Sequence, residues 1–377
     1  MAPSKAGLED VVAANSAICE IIGPQGTLTY RGIDIHDLAR HSSFEEVTYL
    51  LWFGHLPSEP QLRQFAADLR ARRALPDDVV GLLRRFPRQA RPMDVLRTGV
   101  SALGLYEATA GGSPPASLEQ ALRVTARMPT LVATFEQIRR GRDPVAPTAD
   151  GSHAESFLRM LFAAEPEPLA VRAMDLALIL HADHELNAST FAARVTAATL
   201  ADIDAAVVAA IGALSGPLHG GANEQVMKML QKIAEPDRAP AVVAELLAAH
   251  RKIPGFGHRV YRTEDPRVVH LREMSRQLGQ QTGNLRWYEI SRRVEEAVMD
   301  RKHLYPNVDF YAASCYFSIG IPVDMFTPVF AVSRISGWAA HVLEQYADNR
   351  LIRPRAEYVG ERDVPYTPIA QRVLAVG

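Results

Sequence analysis

The stretch PGFGHRVYRTEDPR, residues 254–267, sets one histidine, His258, between Gly255, Gly257 and a row of arginines, Arg259, Arg262 and Arg267. Glycine reaches backbone conformations closed to other residues, so the stretch reads as a shaped loop. Asp265 followed by Pro266 then reads as a helix start, the carboxylate capping free N–H groups and proline taking the first helical position. Arg267 falls in the first turn of that helix, where a guanidinium and exposed amides together face an anion, a carboxylate or a phosphate. Taken alone, the same residues also read as a solvated basic loop before an ordinary capped helix, so the rest of the chain has to decide.

A chain of 377 residues with 47% hydrophobic content buries a large core, and its length suits one big domain with a second, smaller one. A net charge of −2 carries no basic footprint of a nucleic-acid binder. Cys19 and Cys315, the two cysteines, are too few and too far apart for a disulfide framework or a four-cysteine metal site, and a reducing, cytoplasmic compartment is expected. The N-terminal MAPSKAGLEDVV lacks the long apolar core of a signal peptide, and no apolar run is long enough to span a bilayer. A soluble protein without membrane or nucleic-acid partners is expected.

Strand signals are confined to residues 7–32, where VVAANSAICEII and TLTYRG are broken by Gly23, Pro24 and Gly26. Helical spacing takes over with SSFEEVTYLLWFG, in which Ser43 and Glu46 have capping-box spacing. It recurs over 61–74, 77–86, 93–110, 117–141 and 155–162, with proline-bearing breaks such as Pro114-Pro115 between. The fold class is mainly α.

Pro168 opens a helix that is apolar on most faces up to Leu180 and runs into HADHELNAST, residues 181–190. Two histidines and two acids at a buried helix end are costly unless they are hydrogen-bonded or meet a ligand. The order His181-x-x-His184-Glu185 is not the His-Glu-x-x-His zinc pattern and no cysteine lies nearby, so no metal is assigned. A self-satisfied polar cluster accounts for His181, Asp183 and Glu185. His184 is read instead as an imidazolium, stabilised by the helix C-terminus and holding a carboxylate.

Residues 191–214 are rich in alanine, which lets helices approach closely, and end in SGPLHGGANEQV. His219 stands there in a glycine-bracketed turn just before a helix. An imidazole facing a helix N-terminus is pushed toward neutrality, and its N–H can then donate to an incipient enolate oxygen; the plainer reading is a cap or a surface residue. Further helices are expected over 240–250, 268–278 and 285–303. Asn307 then caps a helix that puts Asp309 in its first turn, either as a complement to the helix dipole or as a general base walled by aromatic residues. In the last long helix, 329–346, Arg334 shares a face with Phe330, Ala331 and Trp338, so its charge is buried and needs an anion, from an internal salt bridge or a substrate. The tail NRLIRPRAEY offers Arg350, Arg353 and Arg355 without a basis for choosing among them.

In this order TYRG, HADHELNAST, GPLHGGANEQV, PGFGHRVYRTEDPR, NVDFYAA, FAVSR and RPRAEY resemble the landmarks of the citrate synthase family over nearly the whole chain. The resemblance implies a two-domain helical homodimer, with a large domain from 1–215 and 321–377 and a smaller domain, 216–320, that closes over substrate. It implies a catalytic trio of His219, His258 and Asp309, and oxaloacetate ligands His184, Arg267, Arg334 and Arg353, the last reaching the partner subunit's site. Arg262 is expected to meet a coenzyme A phosphate. Acetyl-CoA is then a substrate, and no cofactor or metal is implied. The implied reaction is a Claisen-type condensation of acetyl-CoA with oxaloacetate, followed by hydrolysis to citrate and CoA. 2-Methylcitrate synthase, which takes propionyl-CoA, is the near alternative, although a histidine at 181 leans toward citrate synthase. A helical scaffold without turnover is the alternative of another class, and the trio and arginines it would be free to lose are all present.

Overall fold

Among the described residues the strands lie between 19 and 34, inside the stretch that carries the strand signals. Cys19–Ile22 pairs antiparallel with Thr27–Tyr30 in the register Cys19 to Tyr30, and Thr27–Tyr30 pairs with the short strand Ile33–Asp34. The computed structural model describes residues 6–8, 11–106 and 118–372, and beyond this small sheet the described residues form sixteen α-helices. The mainly α expectation is met. The expected helix over 93–110 is Pro92–Leu103 followed by a 3-10 turn at Gly104–Tyr106, and its end at 107–110 lies outside the described residues, as do Pro114-Pro115 and Ser117. Ser43 caps Phe44–Phe53 by accepting from the Glu46 N–H, as its spacing foretells.

Phe326–Ala347 organises the molecule. It is buried on nearly every face, with Val329, Val332, Ile335, Trp338 and Val342 in the core. It packs against Phe44–Phe53, Leu118–Arg139, Pro168–His181, Ala188–Ala197 and Ile203–Leu214. Full burial of each large apolar side chain in such a helix stabilises by roughly 1.5–3 kcal/mol. The alanine-rich stretch divides into Ala188–Ala197 and Ile203–Leu214, packed on each other, with Asp202 capping the second by accepting from the Ala205 N–H at 2.7 Å.

The end of Pro168–His181 is held by this central helix and not by solvent. Arg334 Nε donates to the His181 carbonyl at 2.6 Å, and the Gly337 N–H donates to the Ala182 carbonyl at 3.1 Å. That approach requires glycine, because a Cβ on Gly337 would lie 2.3 Å from the Ala182 oxygen and 2.4 Å from Asp183 Oδ1. Gly337→Ala is therefore expected to destabilise the fold by about 1–3 kcal/mol by overpacking against backbone. A denaturant midpoint equal to the parent's would contradict this close contact.

Ala222–Ile233, Val268–Gln281, Arg286–Lys302 and Val308–Ile319 pack on one another. Segment 254–267 joins this group to the sheet. The Gly257 N–H donates to Tyr305 O and the Asn307 N–H to Gly255 O, both at 2.9 Å, with an isolated bridge between Phe256 and Pro306. His258 and Asp309 are thus carried by two paired segments. No helix among the described residues is long and apolar enough to cross a membrane.

Candidate active site

Residues 182–190, 216–221, 254–267 and 305–309, with Arg334 of the central helix, supply the polar side chains of the site. Asn307 caps Val308–Ile319 by accepting from the Asp309 N–H at 3.1 Å, while its side-chain amide donates to Gly257 O at 3.0 Å. Asp309 accordingly lies in the first helical turn, as the sequence implies. A helix N-terminus favours a carboxylate by about 0.3–1 kcal/mol. Here burial wins: it lifts the Asp309 pKa to about 6, Asp265 adding to the rise while Arg267 and Arg334 oppose it.

The two histidines are held in opposite tautomers. His258 Nδ1 accepts from the Val260 and Tyr261 N–H groups at 3.0 and 3.1 Å, so the neutral ring carries its proton on Nε2. His219 Nε2 accepts from the Ser189 N–H at 3.3 Å, which puts this ring's proton on Nδ1; Ser189 Oγ lies 2.8 Å from the same nitrogen and 2.7 Å from Asn187 Oδ1. Ser189 is itself fixed by Trp338 Nε1, which donates to its hydroxyl at 3.1 Å. Burial and the Arg334 charge push the His219 pKa down to about 4; burial and the Arg267 charge do the same to His258, with Asp265 opposing. Burial and the Arg334 guanidinium thus favour the neutral His219 that the sequence reading expected.

His184 differs from its sequence reading. It lies beyond the end of Pro168–His181, its Nε2 is 3.2 Å from Tyr261 Oη, and its ring centroid is 5.1 Å from that of His258. Burial first, then the charges of Arg267 and Arg334 and the His258 ring, hold its pKa well below the usual value. The imidazolium assigned from the helix C-terminus is corrected to a neutral imidazole. Around it the expected polar cluster closes only in part, since His181 Nε2 and Asp183 Oδ1 are buried without a hydrogen-bond partner among the described residues. Asp183 accepts from the Glu185 N–H at 3.1 Å and from His341 Nε2 at 3.3 Å, and His341 Nδ1 accepts from Arg194 Nη1 at 3.2 Å. His181 Nδ1 donates to the Ala177 carbonyl at 2.7 Å.

Arg267 and Arg334 are each only 2% exposed, but they are satisfied differently. Arg267 is the N-cap of Val268–Gln281, so that helix begins later than the Asp265-Pro266 signal implied. Its guanidinium makes a fork with Asp265, Nε to Oδ1 at 2.9 Å and Nη2 to Oδ2 at 2.7 Å, and Oδ2 also accepts from the Val308 N–H at 3.2 Å. Burial disfavours the Asp265 charge, but the Arg267 charge and hydrogen bonds outweigh it and hold the carboxyl below its usual range. Asp265 is therefore more than a cap: it ties Arg267 to the helix that carries Asp309.

Arg334 forms no ion pair with a carboxylate among the described residues. Its Nε bond to His181 and its stacking 4.6 Å above the Phe330 ring leave the charge to an outside anion, and the alternative of an internal salt bridge is not realised. The Arg334 charge acts on His184, His219 and Asp309, and the Arg267 charge on His184, His258 and Asp309. His219, His258, Asp309, His184, Arg267 and Arg334 thus share one electrostatic neighbourhood. Arg262 is exposed beside it on the same loop, held by its N–H to Gly23 O at 3.1 Å.

Arg353 lies apart. It is on the exposed tail and lines a cavity of about 870 Å³ with Arg194, Glu344, Arg350, Val11 and residues 13–17, a cavity that His184, Arg267 and Arg334 do not line. Ser189, Tyr261 and Asp265 carried no catalytic signal in the sequence. Asp265 reads in sequence only as a helix cap, and the other two partnerships join residues 30 and 77 positions apart.

A buried pair of cationic anchors, two neutral imidazoles and one carboxyl of raised pKa define a site for proton abstraction and carbonyl polarisation on an anionic substrate. Residues 7–355 match the family described as citrate synthase, C-terminal domain. The chain is 51% identical to citrate synthase 2 of Bacillus subtilis over 97% of its length and 98% of that protein. It is 42% identical to the 2-methylcitrate synthase of Shewanella oneidensis, over 97% of this chain and 98% of that one. Its fold matches a ternary complex of carboxymethyl coenzyme A and oxaloacetate with citrate synthase from Thermoplasma acidophilum, with a TM-score of 0.91, 34% identity and coverage of 97% and 98%. The chain belongs to the citrate synthase family.

Proposed function

We propose that this protein condenses acetyl-CoA with oxaloacetate and hydrolyses the resulting citryl thioester to citrate and CoA. The observation that carries the reading is the opposed tautomer pair, His219 with its proton on Nδ1 and His258 with its proton on Nε2, beside a carboxyl whose pKa is lifted to about 6. Ionised Asp309 removes a proton from the acetyl methyl carbon while His219 Nδ1–H donates to the thioester oxygen, where charge develops. The enol carbon then forms a bond to the oxaloacetate ketone carbon, and His258 Nε2–H supplies the proton to the new alkoxide. Water cleaves the C–S bond of the thioester and releases CoA.

Arg334 and Arg267 pair the oxaloacetate carboxylates, and His184 donates to the same substrate or becomes cationic as the dianion arrives. Arg262 meets a CoA phosphate. Segment 216–320 acts as the small domain and closes over substrate, which protects the thioester until condensation is complete. The protein works in the cytoplasm as a homodimer in which Arg353 completes the partner subunit's site, and the chemistry needs no cofactor or metal.

Specificity constants with oxaloacetate test this reading. Acetyl-CoA is expected to exceed propionyl-CoA by about 10- to 200-fold, the discrimination one methylene allows. Preference for propionyl-CoA would assign the chain to the 2-methylcitrate reaction, and turnover of neither would leave the scaffold reading. Oxaloacetate is also expected to bind first and tighten acetyl-CoA binding; equal acetyl-CoA affinity with and without it would contradict closure.

A further inference from the structure

We infer that the sheet turn Gly23–Gln25, with Gly26 closing it, positions the catalytic loop by fixing the peptide groups on either side of Tyr261, and through them the tautomer of His258. The inference rests on the function proposed above but concerns residues outside the reacting set. The turn joins Cys19–Ile22 to Thr27–Tyr30 and ends on Gly26 at φ 64. Its tip lies against the backbone of residues 260–264 and not against loop side chains alone. The Gly23 carbonyl accepts from the Arg262 N–H at 3.1 Å. A Cβ on Gly23 would sit 2.2 Å from the Val260 carbonyl oxygen and 2.9 Å from its carbon; one on Gly26 would sit 2.6 Å from Thr263 Oγ1 and 3.0 Å from the Glu264 oxygen.

The Val260 carbonyl belongs to the same planar peptide group as the Tyr261 N–H, and that N–H donates to His258 Nδ1. Pushing the carbonyl therefore tilts the donor away from the imidazole. The next peptide group, bearing the Arg262 N–H, is tied to the same glycine from the other side. Tyr261 is clamped between them, and its hydroxyl lies 3.2 Å from His184 Nε2. One residue without a side chain thereby sets the ring that polarises the ketone and the partner of its neighbouring ligand. Pairing with residues 305–307 secures only the earlier part of the loop, through Gly255 and Gly257. The turn secures the later part.

Gly23→Ala substitutes no polar side chain of the site, so its effects isolate the contact. Long-range proton–nitrogen spectra of histidine-labelled protein read the tautomer without substrate, and steady-state kinetics read the reaction. Expected for Gly23→Ala is loss of the single Nε2–H tautomer at His258 and a fall in kcat of about 10- to 100-fold that exceeds the change in the KM for oxaloacetate, as for an interaction made in the transition state. Gly26→Ala is the second variant should the first not fold, and is expected to act in the same direction. Gly54→Ala is the control for strain alone. It replaces another glycine at positive φ, 81, with nothing within 4 Å of its Cβ, and should lose stability while keeping tautomer and kcat.

Native tautomer and native kcat in a folded Gly23→Ala or Gly26→Ala protein would overturn the inference, as would equal losses of kcat in Gly54→Ala. A parent that makes no citrate, with the tautomer still displaced by Gly23→Ala, would remove the proposed function and leave the positioning role standing.

Discussion

Asp309→Asn is expected to fold, to lose about 100-fold or more of condensation turnover, and to gain stability at neutral pH. Asparagine keeps the shape and the cap geometry but takes no proton, so the acetyl methyl group is not activated. The parent's kcat/KM is expected to fall as pH drops through about 6, where Asp309 protonates. His219 and His258 stay neutral down to about 4 and add no limb near the ordinary imidazole range. The stability change has a definite sign. Burial raises the folded-state pKa of Asp309 from 3.8 to about 6, so the folded protein prefers the neutral acid. Its favourable contribution is complete below about pH 4, fades as pH rises to about 6, and is gone at pH 7. A neutral amide avoids that loss, which corresponds to at most about 3 kcal/mol. Near-normal turnover in the folded variant would remove Asp309 from the role of base, and a lower denaturant midpoint at pH 7 would contradict the burial cost.

Arg334→Met is expected to weaken oxaloacetate binding by about 30- to 1,000-fold, the 2–4 kcal/mol typical of a buried charge pair that loses one partner. Methionine fills much of the space beside Phe330 and removes a guanidinium that burial already pushes toward the neutral form. The fold loses the Nε bond to the His181 carbonyl but no ion pair. The pKa of His219 should rise from about 4 toward its ordinary value, since the Arg334 charge is one of the two causes of its depression. Calorimetric titration with oxaloacetate reads the affinity. Unchanged binding would mean that the substrate carboxylates sit elsewhere.

Local signals made the ends of most helices readable: Asn307 and Ser43 as caps, Pro168 as a helix start, the glycines around His258 and His219. Burial of Arg334 followed from its apolar helix face, and its lack of an internal carboxylate gives that reading its force. What escaped depends on segments distant in the chain. Nothing near Ser189 signals that it will fix His219, and Gly337 reads as a weak point in a helix until the carbonyl of Ala182 is found against it. Gly23 carries only a turn signal until Val260 is found behind it. The charge of His184 was misjudged for a related reason: the helix end beside it is visible in sequence, whereas the two guanidinium groups that oppose its protonation arrive from positions 267 and 334.

A crystal structure of this protein with oxaloacetate and carboxymethyl coenzyme A tests the convergence of the trio most directly. Expected are a substrate carboxylate on Arg334, the ketone oxygen within hydrogen-bond distance of His258 Nε2, and the carboxymethyl group between Asp309 and His219 Nδ1. A complex with both ligands bound and Asp309 out of reach of the carboxymethyl carbon, or with oxaloacetate held away from Arg334, would contradict it.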